Sequence, residues 1–191
     1  MAVESREITI GTPAPDFVLK SADGKEYSLR SFADAQALLV AFVCNHCPYV
    51  KHIESVFGEL TSEYAKKGVA TVAICTNDAD AYPDDGPSYL REQAERAGWE
   101  FPYLVDEDQT VGLAYGAACT PDLFVFDAER KLAYHGAFDE STPGNNKPVT
   151  GELLRAALDQ ILAGEAVPTP HRPSVGCSIK WRADIEAQSW S

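Results

Sequence analysis

The sequence predicts an α/β fold with a central mixed β-sheet flanked by helices. Continuous apolar runs at 37–43 and 69–75 are typical of central strands that are covered on both faces. Segments with apolar residues at spacings of three and four follow these runs and predict helices on the sheet. Two further strand patterns, at 118–127 and 131–138, are joined by a short turn and should pair antiparallel.

Length and charge narrow the domain organisation and the class of partner. The 191 residues predict one domain over 1–165 and a C-terminal extension over 166–191. The formal net charge of −13 opposes binding to nucleic acid or to anionic membranes. We expect a cytoplasmic protein, because the sequence carries neither a secretory signal nor a run near the ~20 apolar residues of a membrane span. The pattern does not predict an oligomeric state.

A β-hairpin and a strand–helix unit open the predicted order of elements. Residues 16–32 alternate apolar and polar on either side of an Asp-Gly turn, which is typical of an N-terminal β-hairpin. The strand at 37–43 comes next. Apolar residues from Val50 to Tyr64, at spacings of three and four, then predict an amphipathic helix that ends before Gly68.

The second half continues the alternation of strands and helices. After the strand at 69–75, the pattern predicts a helix from near Pro87 to Gly98, a strand at 101–105, a short helix ending at Gly116, the antiparallel strand pair and a final helix capped by Thr150. Three prolines and no clear periodicity after residue 166 predict an extended tail over the surface.

The stretch VCNHCPYVKH at 43–52 carries the strongest chemical signal. Cys44 stands where a buried strand gives way to a helix, and free N–H groups at a helix N-terminus stabilise a thiolate. Cys44 is therefore predicted to be an exposed nucleophile. Cys47, one helical turn on, is predicted to be the resolving thiol that attacks a mixed disulfide at Cys44.

Two other interpretations of the CxxC are a pair of buried core cysteines and half of a zinc site. Zinc in a structural site needs four ligands, and the sequence offers neither a second CxxC nor an HxxxH. Structural disulfides are rare in the cytosol. Redox chemistry without a metal is therefore the favoured interpretation.

Four motifs in a fixed order resemble the thioredoxin superfamily, in its redoxin branch of alkyl-hydroperoxide-reductase-like, thiol-specific-antioxidant-like and TlpA-like proteins. They are GTPAPDF, CNHCP, FPYLVDED and TPDLFVFD, and the resemblance covers residues 9–163. It implies a thioredoxin-like fold and thiol-disulfide exchange without a bound cofactor. It also implies that Pro121 is a cis-proline facing the CxxC, with Thr120, Val43 and Pro48 as contacts for an extended substrate.

The sequence departs from the thioredoxin pattern at two positions near the CxxC. Thioredoxins usually carry Trp directly before the first cysteine and an acidic residue six positions before it. Here Val43 and Leu38 stand at these places. The proton acceptor for Cys47 is therefore not identified from the sequence.

The sequence also departs from the peroxiredoxin pattern. Peroxiredoxins that resemble this family place Thr or Ser three residues before the peroxidatic cysteine and Pro seven before it. The corresponding residues are Ala41 and Ala37 for Cys44, and Cys44 and Val40 for Cys47. A thiol peroxidase is therefore the alternative enzyme, and a chaperone for a soft metal ion is an alternative of another class.

Several further residues are candidates for supporting roles. His46 lies between the cysteines as in the CxHC centres of disulfide isomerases and oxidases, where a cationic imidazole favours the thiolate. Cys119 and Cys177 are secondary redox candidates, whereas Cys75 is expected to pack in the core. Helix starts and solvated turns account for the acidic clusters, such as the Asp pair at 84–85.

The predicted function is thiol-disulfide exchange through Cys44 and Cys47. Reduction of disulfides is the expected direction in the cytosol. The expected partners are protein or small-molecule disulfides and an upstream thiol reductant.

Overall fold

Ten β-strands and five α-helices form the part of the chain that our computed structural model describes, residues 1–190. The strands are β1 (Ala2–Glu4), β2 (Val18–Ser21), β3 (Glu26–Ser28), β4 (Ala37–Phe42), β5 (Val69–Cys75), β6 (Tyr103–Val105), β7 (Cys119–Thr120), β8 (Asp122–Phe126), β9 (Leu132–His135) and β10 (Val175–Ser178). The helices are α1 (Pro48–Ala65), α2 (Pro87–Ala97), α3 (Thr110–Tyr115), α4 (Glu152–Leu162) and α5 (Ala183–Glu186).

A seven-stranded mixed sheet with the order β3-β2-β6-β5-β4-β8-β9 lies at the centre of the described residues. β4 pairs parallel with β5 on one side and antiparallel with β8 on the other. All six residues of β4 have no exposed surface, as expected for a strand covered on both faces. The predicted mixed sheet is confirmed.

Alternate side chains of β4 enter two hydrophobic clusters on opposite faces of the sheet. Leu39 and Ala41 join the cluster that contains the apolar faces of α1, α2 and α4. Leu38, Val40 and Phe42 join the cluster on the other face, which contains residues of α3. This division follows from the two-residue period of a strand.

The other predicted elements form close to the expected positions. β2 and β3 make the antiparallel N-terminal hairpin, and α1 and α2 cover the predicted segments. The predicted cap of the last helix is wrong by one residue. Gly151, with φ of 71°, is the N-cap of α4, and the hydroxyl of Thr150 accepts the N–H of Glu152 from one position earlier.

The prediction of an extended C-terminal tail is wrong in part. β10 pairs antiparallel with β1 and with β7, so the C-terminal segment, the N-terminus and the strand before Pro121 form a second, three-stranded sheet. Ile179, directly after β10, is buried in the hydrophobic cluster on the α3 face. Strands of three or four residues beside prolines carry too little periodicity to be recognised from sequence. Within residues 1–190, none of the helices has both the length and the apolar character of a membrane span.

We predict that Phe57→Ala lowers the free energy of unfolding by about 3–5 kcal/mol, because Phe57 packs α1 against three other aromatic rings. Its ring contacts those of Trp99, Phe101 and Phe138, and 1 % of the residue is exposed. Urea denaturation measures the change. Val18→Ala, at a residue that is 62 % exposed, is the control and should change the value by less than about 0.5 kcal/mol.

Candidate active site

The two cysteines of the CxxC lie between the end of β4 and the start of α1. Cys47 is the N-cap residue of α1 and Pro48 is its first helical residue. Proline suits that position because it has no N–H to leave unpaired and its φ angle is already helical. The prediction that Cys44 heads the helix in an exposed position is therefore wrong. The helix begins three residues later, and both cysteines have 0 % of their surface exposed.

Thr120 contacts the sulfur atoms of both cysteines. Its Oγ1 lies 3.5 Å from the Sγ of Cys44, and its carbonyl oxygen lies 3.2 Å from the Sγ of Cys47. The Thr120–Pro121 peptide bond is cis, as the resemblance implied. The segment before Pro121 thus lies against the CxxC.

The predicted substrate contacts have different surroundings from those expected. Thr120 already pairs with Cys177 of β10, so the chain itself occupies the backbone edge that was expected to receive a substrate. Val43 is buried. Its N–H donates to the carbonyl of Ile74 and so continues the pairing of β4 with β5. Pro48 is exposed, and the roles of Val43 and Pro48 as substrate contacts stay predictions.

The buried carboxylate of Asp85 holds the CxxC loop through four hydrogen bonds. Its Oδ1 accepts the backbone N–H groups of Asn45 (2.8 Å) and His46 (3.1 Å). Its Oδ2 accepts from the ring Nδ1 of His46 and from the side-chain amide of Asn77. Burial alone would raise the pKa of Asp85, but the bonds from His46 and Asn77 hold it below its ordinary value.

The prediction that the acidic pair lies in a solvated turn is wrong for one of its two members. Asp85 is 1 % exposed, whereas Asp84 is exposed as predicted. No local pattern distinguishes the two, because the partners in the CxxC loop lie some forty positions earlier in the chain. The Asp85 contact was therefore missed by sequence reasoning.

His46 forms an ion pair with Asp85 and stacks on Tyr82, with ring centroids 5.4 Å apart. The hydrogen bond with Asp85 raises the pKa of His46 above its ordinary value of 6.5, and this effect outweighs the opposing effect of burial. A ring nitrogen of His46, an oxygen of Asp85 and the Sγ of Cys44 lie within 4.8 Å of one another. The structure thus places the imidazole close enough to act on the charge of the sulfur atoms.

The thiolate charge is centred on Cys47 and not on Cys44. The hydrogen bond from Cys44 lowers the pKa of Cys47 to about 4 despite the opposing effect of burial, and Cys177 and the N–H of Val50 lower it further. The pKa of Cys44 is raised because its thiol donates that bond, because it is buried and because the charge of Asp85 is near. Deprotonation of Cys47 is therefore favoured over deprotonation of Cys44.

Only one of the two secondary cysteines contacts the CxxC among the described residues. Burial, followed by its hydrogen bond with Cys47, raises the pKa of Cys177 to about 11. The thiol of Cys119 instead donates to the carbonyl of Pro121 at 3.6 Å, and burial raises its pKa. Cys75 is buried in the core, as predicted.

The cluster of Cys44, His46 and Asp85 brings together donor atoms that can bind a metal ion. Both oxygens of Asp85, however, already accept two hydrogen bonds each, and a carboxylate offers about four lone-pair positions. The arrangement fits a hydrogen-bonded ion pair better than a metal ligand set.

Helix α2 supports the CxxC loop from the outside. The side-chain amide of Gln93 donates to the carbonyl of Cys44 at 2.9 Å, and the guanidinium of Arg96 donates to the side chain of Asn45 at 2.7 Å. Arg96 also pairs with Glu54 of α1. These contacts restrict the loop to one conformation, and the helical pattern of α2 gave no sign of them.

Comparisons with known proteins identify related chains. The model of the AhpC/TSA family matches residues 10–135. The thiol-disulfide oxidoreductase ResA of Geobacillus thermodenitrificans is 27 % identical over 83 % of this chain and 79 % of its own length. The crystal structure of the hypothetical protein SMc02350 of Sinorhizobium meliloti is 49 % identical, with a TM-score of 0.93 over 94 % of this chain and 98 % of that one.

A more distant structure shows the fold class. The thioredoxin domain of a thiol-disulfide oxidoreductase from Bacteroides vulgatus is 15 % identical, with a TM-score of 0.60 over 79 % of this chain and 99 % of that domain. The predicted thioredoxin-like fold is confirmed.

We predict that Asp85→Asn lowers the pKa of His46, because the variant removes the negative charge that holds the proton. While Asp85 is ionised, this pairing stabilises the wild-type fold fully below about pH 6.5. The contribution is lost as the pH rises through the raised pKa of His46. NMR titration of the ring protons measures the pKa. Asp84→Asn, the same substitution at the exposed neighbour, should leave it unchanged, and equal pKa values in both variants would contradict the assignment.

Proposed function

The chain belongs to the AhpC/TSA family, and we propose that it is a thiol-disulfide oxidoreductase that reduces disulfides with Cys44 and Cys47. One observation supports the proposal above the others. Cys47 is the N-cap residue of α1, Thr120 contacts the sulfur atoms of both cysteines, and the neighbouring thiol of Cys44 lowers the pKa of Cys47 to about 4. A thiolate beside a thiol is the reduced state that thiol-disulfide exchange requires.

The roles of the two cysteines in this proposal are the reverse of those predicted from the sequence. The thiolate of Cys47 attacks one sulfur of the substrate disulfide, and the other sulfur leaves as a thiolate. In this mixed disulfide Cys47 no longer carries a charge, so the main cause of the raised pKa of Cys44 is gone. Cys44 then attacks the Sγ of Cys47, and its proton passes to the departing substrate thiolate. The substrate gains two electrons and the Cys44–Cys47 disulfide forms.

His46 and Asp85 tune this chemistry in opposite directions. The negative charge of Asp85 keeps Cys44 protonated, whereas the imidazolium of His46 and the charge of Cys47 stabilise each other. Because the two groups are paired, their charges cancel at a distance and act mainly on the nearest sulfur atoms.

The proposal includes the expected partners and compartment. A protein or small-molecule disulfide is the substrate, and an upstream thiol reductant restores the dithiol. A cytoplasmic location is consistent with this direction, because the cytosolic thiol pool is reducing.

A thiol peroxidase is the second candidate, because the relatives of this chain include a protein named as a putative peroxiredoxin, from Helicobacter pylori. The geometry near the CxxC favours disulfides over peroxide. The nearby guanidinium of Arg96 bonds to Asn45 and Glu54 and not to a sulfur atom. A peroxidase uses such a cation to polarise the O–O bond beside the thiolate.

We predict that the reduced protein absorbs as a thiolate at 240 nm with an inflection near pH 4, and that the signal belongs to Cys47. In Cys44→Ser the inflection should shift upward and stay below about 8.5, because the helix N-terminus remains after one donor changes. In Cys47→Ser the low-pH inflection should be absent. A low-pH thiolate that survives in Cys47→Ser would restore the roles predicted from the sequence.

We predict that the protein catalyses the reduction of insulin by dithiothreitol, that Cys47→Ser abolishes turnover because it removes the attacking thiolate, and that Cys44→Ser slows it. Cys75→Ser, at a buried cysteine outside the CxxC, is the control and should retain the wild-type rate. Hydrogen peroxide should be consumed slowly. Rapid peroxide turnover that persists in one of the two single variants would favour the peroxidase instead.

A further inference from the structure

The CxxC is covered by the protein's own C-terminal segment. Both cysteines have 0 % exposure, and β10 pairs with β7, which ends at Thr120 directly before Pro121. Cys177, in β10, is partly exposed, pairs with Thr120 and packs against the hydrophobic cluster that contains Cys44 and Cys47. The carbonyl oxygen of the same Thr120 lies 3.2 Å from the Sγ of Cys47. Cys177 is thus the thiol of this group that lies nearest the surface.

Gly176 allows β10 to approach the Thr120–Pro121 segment this closely. A Cβ at position 176 would lie 1.9 Å from the carbonyl oxygen of Thr120 and 2.6 Å from its carbonyl carbon. Both contacts are with backbone, which cannot move aside as a flexible side chain can. Only glycine fits at position 176 without a shift of the backbone. Gly176, the residue before Cys177, therefore allows Cys177 to lie beside the CxxC.

The segment is fixed on both sides of Cys177. On one side, Ser174 bonds to Ser5 and to the carbonyl of Gly136. On the other side, the N–H of Lys180 donates to Asn77, the residue that also bonds to Asp85. The position of Cys177 is thus set by contacts that reach the CxxC loop itself.

We propose that Cys177 is a third redox thiol, which carries the disulfide from the buried CxxC to the surface. The proposal rests on the function proposed above. In the oxidised protein, Cys177 loses its proton and attacks the Sγ of Cys47. The Cys47–Cys177 bond forms as the Cys44–Cys47 bond breaks, and Cys44 leaves as a thiolate that takes up the proton. No electrons are gained or lost in this step.

The external reductant is a dithiol, and it reacts at the surface. One of its thiolates attacks the Sγ of Cys177, and Cys47 leaves as a thiolate. The second thiol of the reductant then attacks the reductant's own sulfur in the mixed disulfide and releases Cys177. Two electrons and the proton of the second thiol pass from the dithiol to the protein, where the proton goes to Cys177 and Cys47 stays a thiolate. The low pKa of Cys47 makes it a good leaving group in the first of these steps.

Disulfide mapping in Cys44→Ser tests the contact directly. The reduced variant is oxidised with one equivalent of diamide, quenched in acid, alkylated, digested and analysed by mass spectrometry. We expect the Cys47–Cys177 bond in most chains, with Cys75 and Cys119 recovered as thiols. If Cys47 and Cys177 stay unlinked under conditions that form Cys44–Cys47 in the wild type, the proposal is wrong.

The rate of reduction tests the role. The oxidised wild type, Cys177→Ser and the control Cys75→Ser are mixed with reduced thioredoxin as the dithiol, and free thiols are counted after rapid acid quenching. We expect Cys177→Ser to be reduced at least about tenfold more slowly and Cys75→Ser at the wild-type rate. Equal rates in all three proteins would overturn the proposal.

Gly176→Ala separates the position of Cys177 from its chemistry, because it keeps the thiol and displaces β10. It should form Cys44–Cys47 normally but show the slow reduction of Cys177→Ser. A wild-type rate in this variant would count against the proposal. If the proposed function is wrong, the result is different: the Cys47–Cys177 link still forms in Cys44→Ser, but the wild type does not reduce insulin.

Discussion

The buried carboxylate of Asp85 is the interaction on which the organisation of the site depends. A buried carboxylate needs hydrogen-bond donors around it, since leaving its charge unpaired destabilises the fold by about 3–5 kcal/mol. The donors are two backbone N–H groups of the CxxC loop, the ring of His46 and the amide of Asn77. Asn77 in turn accepts the N–H of Lys180. The CxxC loop and the C-terminal segment are therefore both positioned by contacts that begin at the carboxylate of Asp85.

The arrangement of sulfur atoms follows from where that charge lies. Asp85 is close to Cys44, so a second negative charge there is disfavoured, and the helix N-terminus favours a charge on Cys47 instead. Each of the neighbouring thiols, Cys44 and Cys177, then gains a charged acceptor for its proton. The reactivity of each cysteine is thus a property of the whole group of three and not of the CxxC motif alone.

Sequence reasoning predicted the parts of the fold that have a clear period. The fully apolar β4 and the amphipathic α1 and α2 formed where expected, and the resemblance to redoxins located the cis-proline. Short elements held by distant partners, such as β1 and β10, were missed because four residues show no period. Pro48 does indicate a helix start at Cys47, since proline is common at the first helical position. The role of Asp85 could not be predicted from the sequence, because its partners in the CxxC loop lie some forty residues away in the chain.

The pairing of β10 with β7 has a consequence for the order in which the site is completed. A ribosome makes β10 long after the CxxC and the central sheet, and the two can meet only by a contact of large sequence separation. β10 is the last strand to be translated, so the partner of β7 beside the CxxC is added only after the rest of both sheets has been made. Completion of the site is therefore one of the late events in the life of the chain.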